Sequence, residues 1–144
     1  MPESQNYGNH KKYVMGYHGL AFVLILFVLV WSIKELIAAP SMGGAATVAA
    51  SLALGFLFYY ARAFALQVQN RLIRLEEQLR MAAVLPAELK SRIGELTIPN
   101  YVALRFASDA ELPGLVRRVL NGELTTADSI KQAIKDWRQD HVRV

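Results

Sequence analysis

Two long apolar stretches dominate the pattern of the chain, and they lie close together in its first half. Residues 13–33 contain no Lys, Arg, Asp or Glu, and their centre, LAFVLILFVLVW, is apolar on every side rather than along one stripe. A helix needs about 20 such residues to cross roughly 30 Å of hydrocarbon. The pattern therefore predicts a first transmembrane helix over residues 13–39, preceded by a polar segment at residues 1–12.

The second stretch, residues 36–61, is also free of formal charge, but helix-breaking residues interrupt it early. Pro40, Gly43 and Gly44 predict a turn over residues 40–45. A second transmembrane helix is predicted to begin directly after this turn. Because backbone groups in lipid must satisfy their own hydrogen bonds, two adjacent apolar runs joined by a short turn predict an antiparallel helical hairpin. The predicted fold class is thus an all-α membrane protein.

The second helix is predicted to continue past the membrane, over residues 46–85. Aromatic side chains and a cationic one mark the headgroup level at both outer ends of the hairpin, so the bilayer is predicted to end near them. No Pro or Gly interrupts residues 56–85, so the last part of this helix is predicted to be cytoplasmic. The predicted interface anchors are Tyr13, Tyr17, Tyr59, Tyr60 and Arg62.

The distribution of Lys and Arg predicts the orientation, since these residues are retained on the cytoplasmic side. Six of them flank the outer ends of the two spans, whereas the connecting turn has only Lys34, beside Glu35. Both termini are therefore predicted to be cytoplasmic and the turn periplasmic. A cleaved signal peptide is the alternative for the first run, but that run is longer than a usual signal core. The flanking residues are Lys11, Lys12, Arg62, Arg71, Arg74 and Arg80.

Small side chains recur at intervals of three and four residues along the second span. Lipid tails are as apolar as Leu, so membrane helices associate by close packing, which small residues permit. Two roles remain open for this face: it seats the first helix of the hairpin, or it contacts another subunit. The predicted helix-packing residues are Ala46, Ala49, Ala50, Ala53 and Gly55.

Beyond the headgroups the helix keeps an apolar stripe between charged positions, among which Glu76 and Arg80 have the favourable i,i+4 order of a helix salt bridge. Barely two heptads long, the stripe is short for a coiled coil. In the favoured interpretation the stripe is buried against the protein's own C-terminal domain. In the alternative, it forms a parallel helical stalk, which requires self-association. The predicted contact residues are Val68, Leu72, Leu75 and Leu79, with Leu66 and Ala82 at the ends.

Residues 86–144 predict a small cytoplasmic helical domain and a tail. So small a domain has little core of its own, which favours docking on the long helix, the membrane surface or a partner. The tail RQDHVRV is interpreted either as a partner-binding strand or as a frayed end. The predicted start and stop signals are Pro86, the capping boxes of Ser108 with Glu111 and of Thr125 with Asp128, and the C-terminal stop Gly122.

Composition excludes several function classes. The chain is 53% hydrophobic and 19% charged, an unusual balance for a soluble domain. Its net charge is +4, yet the basic residues are interspersed with nearly as many acidic ones, which argues against nucleic acid binding. It has no Cys, so disulfides, thiolate metal sites and Cys nucleophiles are excluded.

The sequence offers no catalytic or metal-ligating constellation, and its three histidines, at positions 10, 18 and 141, lack the spacing of a helical metal pair. His18 would be the ligand if a haem or a chlorin were bound, but an interfacial His beside Tyr17 is the favoured interpretation. Lys34 and Glu35 are either a proton relay or, as favoured, interfacial anchors. We therefore predict neither enzyme activity nor a cofactor or metal.

A resemblance to a known family rests on four segments, QNYGNHKKYVMGYH, FYYARAFALQVQNRLIRLEEQLR, RFASDAELP and IKQAIKDWRQDHVRV. Together they resemble a family of short bacterial membrane proteins described only as a domain of unknown function with two transmembrane helices. The resemblance implies a bacterial plasma membrane protein, and it implies no activity. The shared polar positions are contact candidates: Asn9, His10, Arg62, Glu76, Arg105, Asp109, Trp137 and His141.

Two functional hypotheses follow from these patterns. The leading one is a non-catalytic accessory or assembly subunit of a larger bacterial inner-membrane complex, with respiratory and photosynthetic complexes as candidates. The alternative is a self-associating membrane scaffold with a cytoplasmic helical stalk. The predicted partners are membrane lipids together with other membrane subunits or a second copy of the chain.

Overall fold

The computed structural model describes residues 6–9 and 13–140 of the chain. The predictions that concern His10, Lys11, Lys12, His141 and the end of the tail lie outside the described residues. The described part is all-helical. Its elements are a π-helical segment at Met15–Ala21, α1 (Phe22–Ala38), α2 (Met42–Val84), α3 (Ala87–Lys90), a 3₁₀ turn (Ile93–Glu95), α4 (Ile98–Leu104), α5 (Leu112–Leu120) and α6 (Ala127–Ala133).

The two apolar stretches form the two longest helices. The π-helical segment runs directly into α1, and together they give a helix of 24 residues at Met15–Ala38. At about 1.5 Å per residue this helix is roughly 36 Å long, enough for the hydrocarbon layer. The second helix, α2, has 43 residues. Both are long and apolar enough to cross a membrane, and most of their large apolar side chains are exposed.

The turn between these helices is shorter than the sequence predicts. We expected Gly43 and Gly44 in the turn, but α2 already begins at Met42. Ser41 explains the early start, because its hydroxyl accepts a hydrogen bond from the Gly44 N–H at 3.0 Å and so caps the first turn. Position 44 is closely packed, since a Cβ there would lie 3.1 Å from Leu36 Cδ1.

The two helices pack side by side as an antiparallel hairpin. At one end the Tyr17 ring stacks on Phe58 with centroids 4.2 Å apart, and its hydroxyl donates to the Phe58 carbonyl. Between the ends, Ser32 and Ser51 are buried. Each hydroxyl donates to a backbone carbonyl of its own helix. The two buried serine hydroxyls between the helices are therefore hydrogen-bonded.

The chain forms two compact units: a hairpin unit of residues 13–65 and a cap unit of residues 6–9 and 66–140. The cap unit therefore contains the end of α2 and all of the C-terminal domain, residues 86–140. Fifteen buried apolar residues form one core cluster within it. Met81 contributes to this core from α2, and Leu85 contributes from the position directly after that helix. The small domain thus completes its core by docking on the long helix, one of the outcomes expected for its size.

Local capping sets the short helices of the C-terminal domain, and the sequence locates it only in part. α6 begins with a reciprocal capping box between Thr126 and Ser129, one residue later than the predicted pair of Thr125 and Asp128. Gly122 ends α5 as predicted, with a φ of 78° that favours glycine.

Two further capping features differ from the sequence prediction. Thr97 forms a second capping box with Asn100 at the start of α4, which was not predicted from the sequence. In the predicted box before α5, Ser108 accepts from the Glu111 N–H at 3.4 Å. The Glu111 carboxylate, however, accepts from the N–H groups of residues 135 and 136. Only half of that box therefore forms.

Candidate interaction surfaces

Arg80 is the centre of the polar contact between α2 and the C-terminal domain. Its Nε lies 2.7 Å from Asp109 Oδ1, its Nη2 donates to the Ala107 carbonyl at 2.6 Å, and its Nη1 lies 3.0 Å from Glu77 Oε2. The sequence suggested Glu76 as its partner, one turn away on the same helix. Docking of the domain selects Glu77 instead, because that carboxylate lies on the covered face.

Glu77 is a buried carboxylate, with 5% of its side chain exposed. Burial raises its pKa, while the guanidinium groups of Arg80 and Arg138 oppose that shift. Arg138 Nη1 lies 3.4 Å from Glu77 Oε1, so one carboxylate joins α2 to the C-terminal segment. The effect is to hold the segment around Arg138 against the long helix.

The described part of the tail is bound to the protein itself. The Arg138 N–H donates to the Phe106 carbonyl at 2.7 Å, next to an isolated antiparallel bridge between Ala107 and Trp137. Asp140 Oδ2 lies 3.2 Å from Arg105 Nε. Up to Asp140, therefore, the segment packs against the protein's own C-terminal domain through one isolated bridge and these polar contacts, and the end of the tail lies outside the described residues.

Beside this segment is a cavity of about 430 Å³. Its lining includes three guanidinium groups and three carboxylates, and most of these charges already form salt bridges with one another across the cavity. No excess of either sign is left to select an ion, so we assign it no ligand. The lining residues are Ile73, Glu76, Glu77, Arg80, Arg105, Arg138, Gln139 and Asp140.

The apolar stripe, defined as Val68, Leu72, Leu75 and Leu79, is exposed. Its members leave 68%, 53%, 55% and 67% of their surface uncovered. The interpretation that the C-terminal domain buries this stripe is wrong. The domain covers a different face of α2, on which Ile73 and Met81 are buried. Successive side chains differ by about 100° around a helix, so these two faces point in different directions.

The small residues of the second span are also largely uncovered. Ala46, Ala49, Ala50 and Ala53 are exposed, and α1 packs instead on the face that contains Ser51 and Phe58. Gly55 is half-buried, yet a Cβ there would meet nothing within 4 Å. The four alanines therefore do not seat α1, and their contact with another subunit stays a prediction.

The predicted interface anchors lie at one end of the hairpin unit. The stacking of Tyr17 on Phe58 brings the start of the first helix beside the residues that precede Arg62. Tyr17 and Arg62 are half-buried, whereas the other three anchors are exposed. Exposed aromatic rings at one level are typical of side chains that sit among lipid headgroups. The exposed anchors are Tyr13, Tyr59 and Tyr60.

His18 and Lys34 are held by aromatic neighbours. The His18 ring stacks on Tyr13 at 5.0 Å, and its Nδ1 lies 3.2 Å from the Val14 nitrogen. Lys34 Nζ lies 5.2 Å from the centroid of Trp31, within the range of a cation–π contact. Within the part of the chain that the structure describes, no group of three His, Asp or Glu side chains is arranged to hold a metal ion.

The N-terminal segment belongs to the cap unit. Residues 6–9 form a turn in which the Asn6 side chain accepts from the Gly8 N–H at 2.8 Å. The hydroxyl of Tyr7 then accepts a hydrogen bond from Gln132 Nε2 at 3.3 Å. The segment before the first long helix therefore touches the domain that follows the second.

These features define an all-helical protein with two helices that are long and apolar enough to span a membrane, and with a small C-terminal domain docked on the second. The chain belongs to DUF6526, a family of unknown function whose model matches residues 1–144. The match confirms the resemblance to a family without an assigned activity. No curated protein and no solved structure matches the chain.

Proposed function

We propose that the chain is a non-catalytic accessory or assembly subunit of a larger complex in the bacterial inner membrane, with respiratory and photosynthetic complexes as candidates. The observation that carries the proposal is the exposed small-residue face of the second span. Ala46, Ala49, Ala50 and Ala53 are left uncovered by α1. A partner's transmembrane helix is the natural occupant, because small side chains allow close backbone approach where lipid gives no hydrophobic driving force.

The proposed topology places both termini in the cytoplasm. An even number of spans returns the chain to its starting side, and the hydrogen bond between Tyr7 and Gln132 supports this arrangement, since both groups must share a compartment to meet. The excess of Lys and Arg at the outer ends of the spans favours the cytoplasmic side. Protease digestion of inverted vesicles should remove the C-terminal domain, and full protection there would contradict the topology.

Purification in lipid nanodiscs followed by mass spectrometry tests the proposed function. The native chain should bring down larger membrane proteins in a fixed ratio. Ala50→Leu adds bulk to the exposed face while remaining apolar. This variant should weaken capture of the partner, because the added bulk prevents close approach of the two backbones. A loss of about 1.4 kcal/mol of helix packing would make the capture tenfold weaker.

Ala38→Leu is the matched control, because Ala38 is exposed on α1 and so lies outside the small-residue face of the second span. It should leave capture unchanged. A native chain recovered only as a free monomer would refute the proposal. Equal capture by both variants would show that the small-residue face is not the contact.

A further inference from the structure

The apolar stripe has the spacing of a coiled-coil seam. Its members follow one another at intervals of four, three and four residues. In heptad terms Val68 and Leu75 occupy d positions, and Leu72 and Leu79 occupy a positions. We propose that this stripe packs against the same stripe of a second copy of the chain, in parallel and in register.

The parallel orientation rests on the proposed membrane topology. Two copies inserted in one membrane with the same topology extend α2 from the same surface and in the same direction. In register, the Leu72 side chains of the two copies face each other, as do the Leu75 side chains one turn further. The C-terminal domain does not obstruct this contact, because it covers another face of α2, on which Met81 is buried.

The flanking charges complement each other in this register and favour a second copy as the occupant. Arg71 occupies the g position before Leu72, and Glu76 occupies the e position after Leu75. In a parallel pair, a g side chain lies beside the e side chain of the following heptad on the other helix. Arg71 therefore meets the second copy's Glu76, and symmetry repeats the contact.

Both side chains are available for this pairing. Arg71 and Glu76 are exposed, and over residues 6–9 and 13–140 neither takes part in a salt bridge. The other e and g positions next to the stripe, Gln69 and Gln78, carry no charge. No like-charged pair therefore opposes the association.

Attachment to a membrane makes so short a seam effective. Two heptads associate weakly between free chains, since each buried Leu must offset the entropy lost on docking. Copies held in one membrane already share an orientation, and tethering raises their effective concentration. We therefore expect association in bilayers and dissociation when excess detergent separates the copies.

Disulfide crosslinking in native membranes tests the inference, and the chain has no Cys that would interfere. Leu72→Cys should form a disulfide-linked homodimer under mild oxidation, at least about tenfold more efficiently than Arg74→Cys. Arg74 is a matched control because it is exposed on the same helix away from the stripe. Equal yields for the two variants, or a disulfide of Leu72→Cys to a different protein, would overturn the proposal.

A charge exchange gives a second measurement that does not depend on cysteine chemistry. Glu76→Arg sets like charges against each other and should lower recovery of an untagged copy with a tagged one. The double variant Arg71→Glu with Glu76→Arg should restore it, and failure of this rescue would overturn the proposed register. Recovery of other membrane proteins is measured separately from recovery of the untagged copy. Loss of the first would contradict the proposed function, and loss of the second would contradict self-association.

Discussion

Removing the Arg80 side chain should loosen the C-terminal domain from α2. The guanidinium is nearly buried, with 10% of its surface exposed, and it joins Glu77, Ala107 and Asp109 in a single contact. Arg80→Ala abolishes all of these bonds. The expected result is more frequent opening of the domain without a change in the hairpin unit.

The size of the effect follows from the environment of each partner. The bond to the Ala107 carbonyl is charge-assisted and contributes about 1.5–3 kcal/mol. Asp109 is 67% exposed, so its salt bridge adds at most about 1 kcal/mol. Loss of Arg80 leaves the buried Glu77 carboxylate with Arg138 alone, 3.4 Å away. Because these losses overlap, we expect a total of about 3 kcal/mol, the low end for a broken buried pair.

Hydrogen exchange in nanodiscs measures this opening. A loss of about 3 kcal/mol corresponds to roughly 100-fold faster exchange of the amides in α4 and α5. Arg74→Ala is the control, since Arg74 is exposed on the same helix and forms no salt bridge within the described residues. If Arg80→Ala accelerates exchange no more than Arg74→Ala does, the assignment of Arg80 as the main polar tie is wrong.

Three further predictions address other contacts. Tyr101→Phe should destabilise the C-terminal domain by about 1 kcal/mol in the same exchange assay, because the buried hydroxyl donates to the Ile93 carbonyl at 2.6 Å. Gly44→Val should weaken the hairpin in thermal unfolding, whereas Gly43→Val should not, since a Cβ meets close neighbours only at position 44. Burial raises the pKa of Glu77 above its ordinary value of 4.5, so the folded state binds this proton more tightly. The free energy of unfolding should fall as pH rises from about 4.5 through the raised pKa, and Glu77→Gln should remove that part of the decline. If native protein and variant show the same dependence of stability on pH, the pKa of Glu77 is not raised on folding.

The sequence by itself determined the features that depend on neighbouring residues. An apolar run of sufficient length forms a long helix wherever it lies in the fold, and Pro40 and Gly122 stop helices because of their own backbone preferences. The helical class and the two long apolar helices were therefore predictable, and the turn between them was predictable to within a few residues. Capping was less certain, since several Ser and Thr side chains compete to begin each helix, and Thr126 was chosen over Thr125.

Only the tertiary structure decided which face of α2 is covered. A 43-residue helix offers apolar side chains in several directions, and its own sequence does not rank them. Burial of Met81, together with the pairing of Arg80 with Asp109, selects one face. That choice leaves the apolar stripe exposed, contrary to the sequence interpretation. The physical reason is that side-chain burial depends on groups 20 or more residues away in the chain, whereas helix formation depends mainly on groups within a turn.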